Sequence, residues 1–115
     1  MRTSRNKVTR MTAVQTNNSI PDDIIVWAVK SISGEVTQNM RLIAFSYSNN
    51  KAKFRFYVAE EPTDDEREIG EAVAVNFDSG LAQNLDALDI EFVVTKEPLG
   101  KLDTLGFGLF RRHEE

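Results

Sequence analysis

Apolar residues in this chain switch between two spacings, and the switches divide it into elements. Ile24, Ile25, Ala28, Val29 and Ile32 recur at the period of a helix with one buried stripe. Ser19-Ile20-Pro21-Asp22-Asp23 opens that helix. Ser19 or Ile20 precedes a proline suited to the first helical position, and two carboxylates complement the positive end of the dipole. Gly34 supplies the stop. Residues 40–46 and 52–59 read as two strands around Asn49-Asn50, a pair that tolerates positive φ and favours hairpin turns. In the second strand Ala52, Phe54, Phe56 and Val58 alternate with Lys53, Arg55 and Tyr57, which gives a sheet one buried face. In the first, Leu42 and Ala44 oppose Arg41, Ile43, Phe45 and Tyr47, so the pattern leaves its register open.

Pro62-Thr63-Asp64-Asp65-Glu66 starts a second helix, because Thr63 followed by Glu66 forms a capping-box pattern. Its apolar stripe runs through Ile69, Ala72, Val73, Asn76, Phe77 and Leu81, with Gly80 near the end. Residues 87–95 alternate Leu88, Ile90, Phe92 and Val94 against Asp89, Glu91, Val93 and Thr95 as a third strand. After a loop marked by Pro98, Gly100 and Asp103, residues 105–111 form the last strand. Leu105, Phe107 and Leu109 share one of its faces, and Gly106 and Gly108 leave the other nearly bare. The order is α-β-β-α-β-β. Two amphipathic helices and a one-faced sheet must cover each other, which predicts an α+β two-layer sandwich. Its four-stranded sheet is mainly antiparallel, with both helices on one face.

Charge adds a division that periodicity does not show. Residues 1–18 carry Arg2, Arg5, Lys7 and Arg10 with no acid and no hydrophobic pattern, and read as a flexible basic arm. Met11 offers a second candidate start within it. Residues 19–115, a single α+β domain, hold ten bases against 18 acids, a net charge of −8. Seven of those acids (Glu60, Glu61, Asp64, Asp65, Glu66, Glu68 and Glu71) face only Arg67 between positions 60 and 71. Such a body repels nucleic acid and attracts a basic protein. The longest apolar run, Ile24 to Val29, is far too short for a bilayer.

Catalytic chemistry has little to work with. The chain has no cysteine and one histidine, His113, in the tail Arg111-Arg112-His113-Glu114-Glu115, where rigid placement is not expected. The acids at 60–71 lack the Asp/Asn spacing and central Gly of a calcium loop, and Gly106-x-Gly108 lacks the strand–glycine–helix context of a dinucleotide site. No enzyme, cofactor or metal site is predicted. Phe54, Phe56 and Tyr57 interleave with Lys51, Lys53 and Arg55 as in single-strand binders, but the phenylalanines share the face expected to be buried. Trp27, the chain's one tryptophan, is expected to be half-buried beside the first helical stripe.

Four stretches carry a resemblance: Trp27, Gly34-Glu35-Val36-Thr37-x-Asn39-Met40-Arg41, Phe56-Tyr57-Val58-x-Glu60-Glu61-Pro62-Thr63 and Leu109-Phe110-Arg111-Arg112. Over residues 20–112 the chain resembles the small bacterial immunity proteins of contact-dependent growth inhibition and other polymorphic toxin systems. The resemblance implies a cytoplasmic protein that binds the toxin domain of a larger protein and covers its active site. A nuclease toxin must be basic to hold its substrate, so an acidic inhibitor suits it. The partner-binding residues expected on this reading are Glu60, Glu61, Asp64, Asp65, Glu68 and Glu71, with Tyr57 as an anchor. The alternative is a generic interaction or regulatory module that forms homo-oligomers through the sheet edge near Gly106 and Gly108. RNA binding through the arm and sheet stands third.

Overall fold

The computed structural model describes residues 20–114; the basic arm 1–18, Ser19 and Glu115 lie outside them. Helix α1 spans Asp22–Ile32, strand β1 Met40–Ser48, β2 Lys51–Val58, helix α2 Asp64–Ser79, β3 Ala87–Val94 and β4 Phe107–Arg111. A short 3-10 turn, Leu99–Lys101, interrupts the connection from β3 to β4. This is the expected α+β order. The sheet order is β3-β2-β1-β4, with β1 antiparallel to both β2 and β4. The sheet is nonetheless mixed, because β2 and β3 pair in parallel through eight residues from Lys51↔Ala87 to Val58↔Val94. A parallel neighbour needs a crossover, and α2 supplies it.

Local signals place the element ends. Asn49 and Asn50 both adopt positive φ, 51° and 61°, and turn β1 into β2. Gly34, with φ 84°, ends the first helical segment in a conformation that β-carbon sterics disfavour. Pro21 differs from expectation: it is the N-cap of α1, its carbonyl accepting from the N–H groups of Ile24 and Ile25, and not the first helical residue. Thr63 and Glu66 close the capping box of α2 in both directions.

Both helices pack on one face of the sheet. Ala28 and Ile32 of α1 and Val73 and Phe77 of α2 bury Ile43, Phe45, Phe54 and Phe56. The rings of Phe45, Phe54 and Phe77 meet at centroid distances of 4.9–5.5 Å in tilted and edge-on pairs, and Phe56 stacks on Phe92 at 5.0 Å. On α2 the buried stripe is Glu66, Gly70, Val73 and Phe77, while Ala72 and Asn76 are exposed. The stripe thus lies slightly to one side of the one expected. Gly70 sits on it because a β-carbon there would lie 3.0 Å from Ile90 and 3.1 Å from Phe92.

A β-bulge resolves the ambiguous pattern of β1. Met40 pairs with Val58 and Leu42 with Tyr57, so Arg41 is the extra residue. Met40 therefore joins Ile43 and Phe45 on the helix side, and Leu42 and Ala44 turn to the other face. That other face is not bare. Leu99, Leu102 and Leu105 from the β3–β4 connection cover Leu42, Ala44, Tyr57 and Val93. Leu105, expected on one face with Phe107, has φ 67° and precedes β4, so it packs on the covered face while Phe107 joins the helix side. A β-carbon on Gly108 would already meet Thr104 at 3.6 Å.

Trp27 ties the two helices together. Its indole N–H donates to the Phe77 carbonyl at 2.9 Å, and a β-carbon on Gly80 would fall 2.0 Å from its ring. Gly80→Ala therefore displaces the indole. The expected result is a loss of about 1–3 kcal/mol in chemical denaturation, accompanied by a red shift of Trp27 fluorescence.

Candidate partner-binding surface

Seven acidic side chains crowd residues 60–71, and the fold sorts them into distinct duties. Glu66 is buried. Its carboxylate accepts from the Thr37 hydroxyl at 2.6 Å, the Asn39 amide at 3.2 Å and the Thr63 backbone N–H at 3.1 Å. Burial pushes this carboxyl up, but the three hydrogen bonds outweigh burial and hold it below the usual carboxylate range. Glu66 thereby joins the α1–β1 loop to the start of α2. Glu60 pairs with Lys96 at 2.9 Å, which lowers its pKa, and Glu61 pairs with Arg67 at 3.0 Å. Both pairs are solvated and contribute little to stability.

Asp64, Asp65, Glu68 and Glu71 remain. All four are exposed, and among the described residues none of them is in an ion pair. Asp64, Glu68 and Glu71 recur at helical spacing on the outer side of α2, continued by Val75 at 66% exposure. At the entry to this face a shallow depression is bounded by Thr37, Gln38, Asn39, Glu60, Glu61 and Thr63. The structure thus brings six of the seven expected residues to one region, along α2 and the loop before it.

Tyr57 is the exception and a correction. It is 4% exposed, its hydroxyl donates to the Asp103 carbonyl at 2.8 Å, and it accepts from Arg55 at 3.1 Å. Alternation placed it on the polar sheet face, but the β3–β4 connection covers that face, so Tyr57 is not a surface anchor. Arg55 and Lys53 on the same face both reach Glu91, at 2.6 and 3.4 Å. Arg55 holds the Glu91 carboxyl below its ordinary range. Phe54 and Phe56 are fully buried, so neither can stack on a nucleic-acid base.

Sequence reasoning missed Arg41. Its side chain is almost fully buried in the bulge, and its guanidinium donates to the carbonyls of Thr95 and Glu97, each at 2.8 Å. It also grips the Glu114 carboxylate in a two-pronged pair, both contacts at 2.9 Å. Arg112 adds a second pair to Glu114 and donates to the Gln38 carbonyl. The tail expected to be loose is therefore pinned up to Glu114. His113 remains exposed on it. Among the described residues no group of three or more His, Asp or Glu is placed to hold a metal ion, and no helix is long and apolar enough to cross a membrane.

Residues from three of the stretches that carry the resemblance form two neighbouring hydrogen-bonded sets: Thr37, Asn39 and Thr63 around Glu66, with Asn39 also bonding Glu60, and Arg41 and Arg112 around Glu114. This small α+β domain belongs to the class of immunity proteins by its match to a family model. The match is specific: residues 21–114 fit the family model described as MafI2 immunity protein, and the chain belongs to that family. No curated protein matches the chain.

Two outcomes test this division of labour. Glu66→Ala strands the Thr63 N–H and the polar groups of Thr37 and Asn39, and should destabilise the fold by about 1–3 kcal/mol. Glu68→Ala, two positions on and exposed, should stay within about 0.5 kcal/mol of the parent in the same urea titration. For the tail, hydrogen bonding from Arg41, opposed by burial and reinforced by Arg112, lowers the Glu114 pKa to about 2. A carboxyl depressed in the folded state contributes stability above its unfolded pKa, and that contribution is lost as pH falls through the folded value. The side-chain carboxyl ¹³C shift of Glu114 should accordingly titrate near pH 2, and in Arg41→Met the titration should move up toward the ordinary carboxylate range, stopping short of it because Arg112 still pairs with Glu114.

Proposed function

We propose that this chain neutralises a cognate toxin domain in the cytoplasm by docking it on the acidic outer face of α2. The observation that carries the reading is the exposure of Asp64, Asp65, Glu68 and Glu71 after the fold has used Glu66 internally and paired Glu60 and Glu61. Carboxylates without local partners keep their field for an incoming protein, and steer a basic one into contact. A basic toxin domain of nuclease type fits that field, since a nuclease needs positive charge where phosphates bind. An acidic helix laid across that surface competes with nucleic acid for the same charges. Inhibition then requires coverage alone, with no group on this chain performing chemistry. Membership of an immunity-protein family supports a toxin as the partner, and secretion through a contact-dependent system is the setting proposed for it.

The variant Asp64→Lys/Asp65→Lys/Glu68→Lys tests the surface. Like-charge juxtaposition costs several kcal/mol, so toxin affinity should fall about 100-fold or more and protection of toxin-expressing cells should be lost. Circular dichroism should remain that of the parent, because all three side chains are exposed. Full protection by this variant would remove the α2 face from the interface.

A further inference from the structure

Strand β3 ends the sheet on one side, with β2 as its single neighbour among the described residues. There, too, no backbone hydrogen bond joins it to any segment other than β2. None of its residues is buried, although Leu88, Ile90 and Phe92 pack against the core. One strand further in, Phe54, Phe56 and Val58 of β2 are fully buried. The difference is the missing neighbour.

Edge strands that stay solitary carry a device against pairing, such as a proline, a lysine, a bulge or short length. The other edge, β4, has five residues and a register shift against β1. β3 has no such device. Its eight residues keep an unbroken register with β2 and include no proline, glycine, lysine or arginine. Its charges are Asp89 and Glu91, which alternate with Leu88, Ile90 and Phe92 and so lie on the face away from the helices.

Those two acids decide which strand fits. Glu91 is held by Arg55 and Lys53, whereas Asp89 is exposed and in no ion pair among the described residues. A second copy of β3 laid antiparallel sets Asp89 against Glu91, or Glu91 against itself, in the two registers of greatest overlap. Like charges directly opposite are unfavourable. A strand with lysine or arginine on that face meets both acids with opposite charge. The acidic side of α2 borders the same edge: Arg67 lies over the Phe92 ring at 5.8 Å, and Glu71 follows one helical turn on.

We infer that the outer edge of β3 takes up a strand of the basic toxin domain, so that the sheet continues into the partner. Main-chain hydrogen bonds supply affinity, and Asp89 and Glu91 select lysine or arginine on one face. Leu88, Ile90 and Phe92 gain cover from apolar side chains on the other. The assignment rests on the immunity reading for the owner of the strand; the preference for a basic strand stands apart from it.

The full chain, labelled with ¹⁵N, is titrated with three capped heptapeptides. Two have valine at the odd positions and either lysine or glutamate at the even ones; the third is the lysine peptide with proline at its third and fifth positions. Amide shifts and slowed exchange should centre on residues 87–94, saturating at about 1 mM of the lysine peptide. The glutamate peptide should bind about tenfold or more weakly, and the proline peptide should give no saturable shift. Asp89→Lys, at an exposed position, should keep the parent's circular dichroism and weaken the lysine peptide about threefold or more. In the complex with the toxin domain, β3 amides that exchange freely in the isolated chain should slow about tenfold or more.

Equal binding of the lysine and glutamate peptides, no saturation by the lysine peptide, or β3 amides unchanged by the toxin domain would overturn the assignment. So would outer-edge amides already slow in the free chain. Slow exchange lost on dilution would give the edge to a second copy; slow exchange kept on dilution would give it to the chain's own basic arm. If the edge fails these tests while charge reversal on α2 still abolishes protection of toxin-expressing cells, the edge assignment falls and the immunity reading stands.

Discussion

A buried guanidinium at the start of the central strand governs how this domain closes. Arg41 occupies the bulge of β1 and binds the chain as it leaves β3, through the Thr95 and Glu97 carbonyls, and the C-terminal tail through Glu114. A buried charge is tolerated only when its donors are matched, and here four contacts match them. The same bulge sends Met40 to one face of the sheet and Leu42 to the other. The connection starting at the Arg41 anchor then crosses the Leu42 face, is held midway by the Tyr57 hydroxyl on Asp103, and returns to the sheet where the Gly106 N–H meets the Phe45 carbonyl. One residue thus fixes the strand register, the cover of the far face and the position of the tail.

That closure decides which surfaces remain for a partner. With the helices on one face and the β3–β4 connection on the other, the central part of the sheet is withdrawn from contact. Among the surfaces that stay open are the outer side of α2, the acidic loop before it, and the groove between the hairpin tip and α1. Acidity is accordingly not one property of residues 60–71. Glu66 is part of the interior, Glu60 and Glu61 are engaged with Lys96 and Arg67, and only the carboxylates projecting from α2 keep an uncommitted field. A count of charges along the sequence weighs all seven alike; the fold does not.

What the sequence made legible is what neighbouring residues decide. The capping box of Thr63 and Glu66, the Asn49-Asn50 turn and the stop at Gly34 depend on local sterics and short hydrogen bonds, and each appears where residue type placed it. The helix-side core was readable for the same reason, since period-two and helical spacings record a single buried face. Contacts between distant segments left no such trace. The parallel pairing of β2 with β3, the burial of Tyr57 beneath the β3–β4 connection and the turn of Leu105 to the far face each depend on where a remote segment lies. Arg41 illustrates the difficulty: an arginine on a strand reads as a solvent-facing residue until Glu114, 73 positions away, arrives to receive it. Within the candidate surface, the crowding of acids was legible and their separate duties were not.

The central claim is that the partner sits on the α2 side of the molecule. Hydrogen–deuterium exchange of the chain, free and bound to its toxin domain, reads this without any substitution. The account predicts new protection in peptides covering residues 60–71, with little change over residues 98–114. Protection confined to residues 98–114 and β4, with the α2 peptides unchanged, would contradict it.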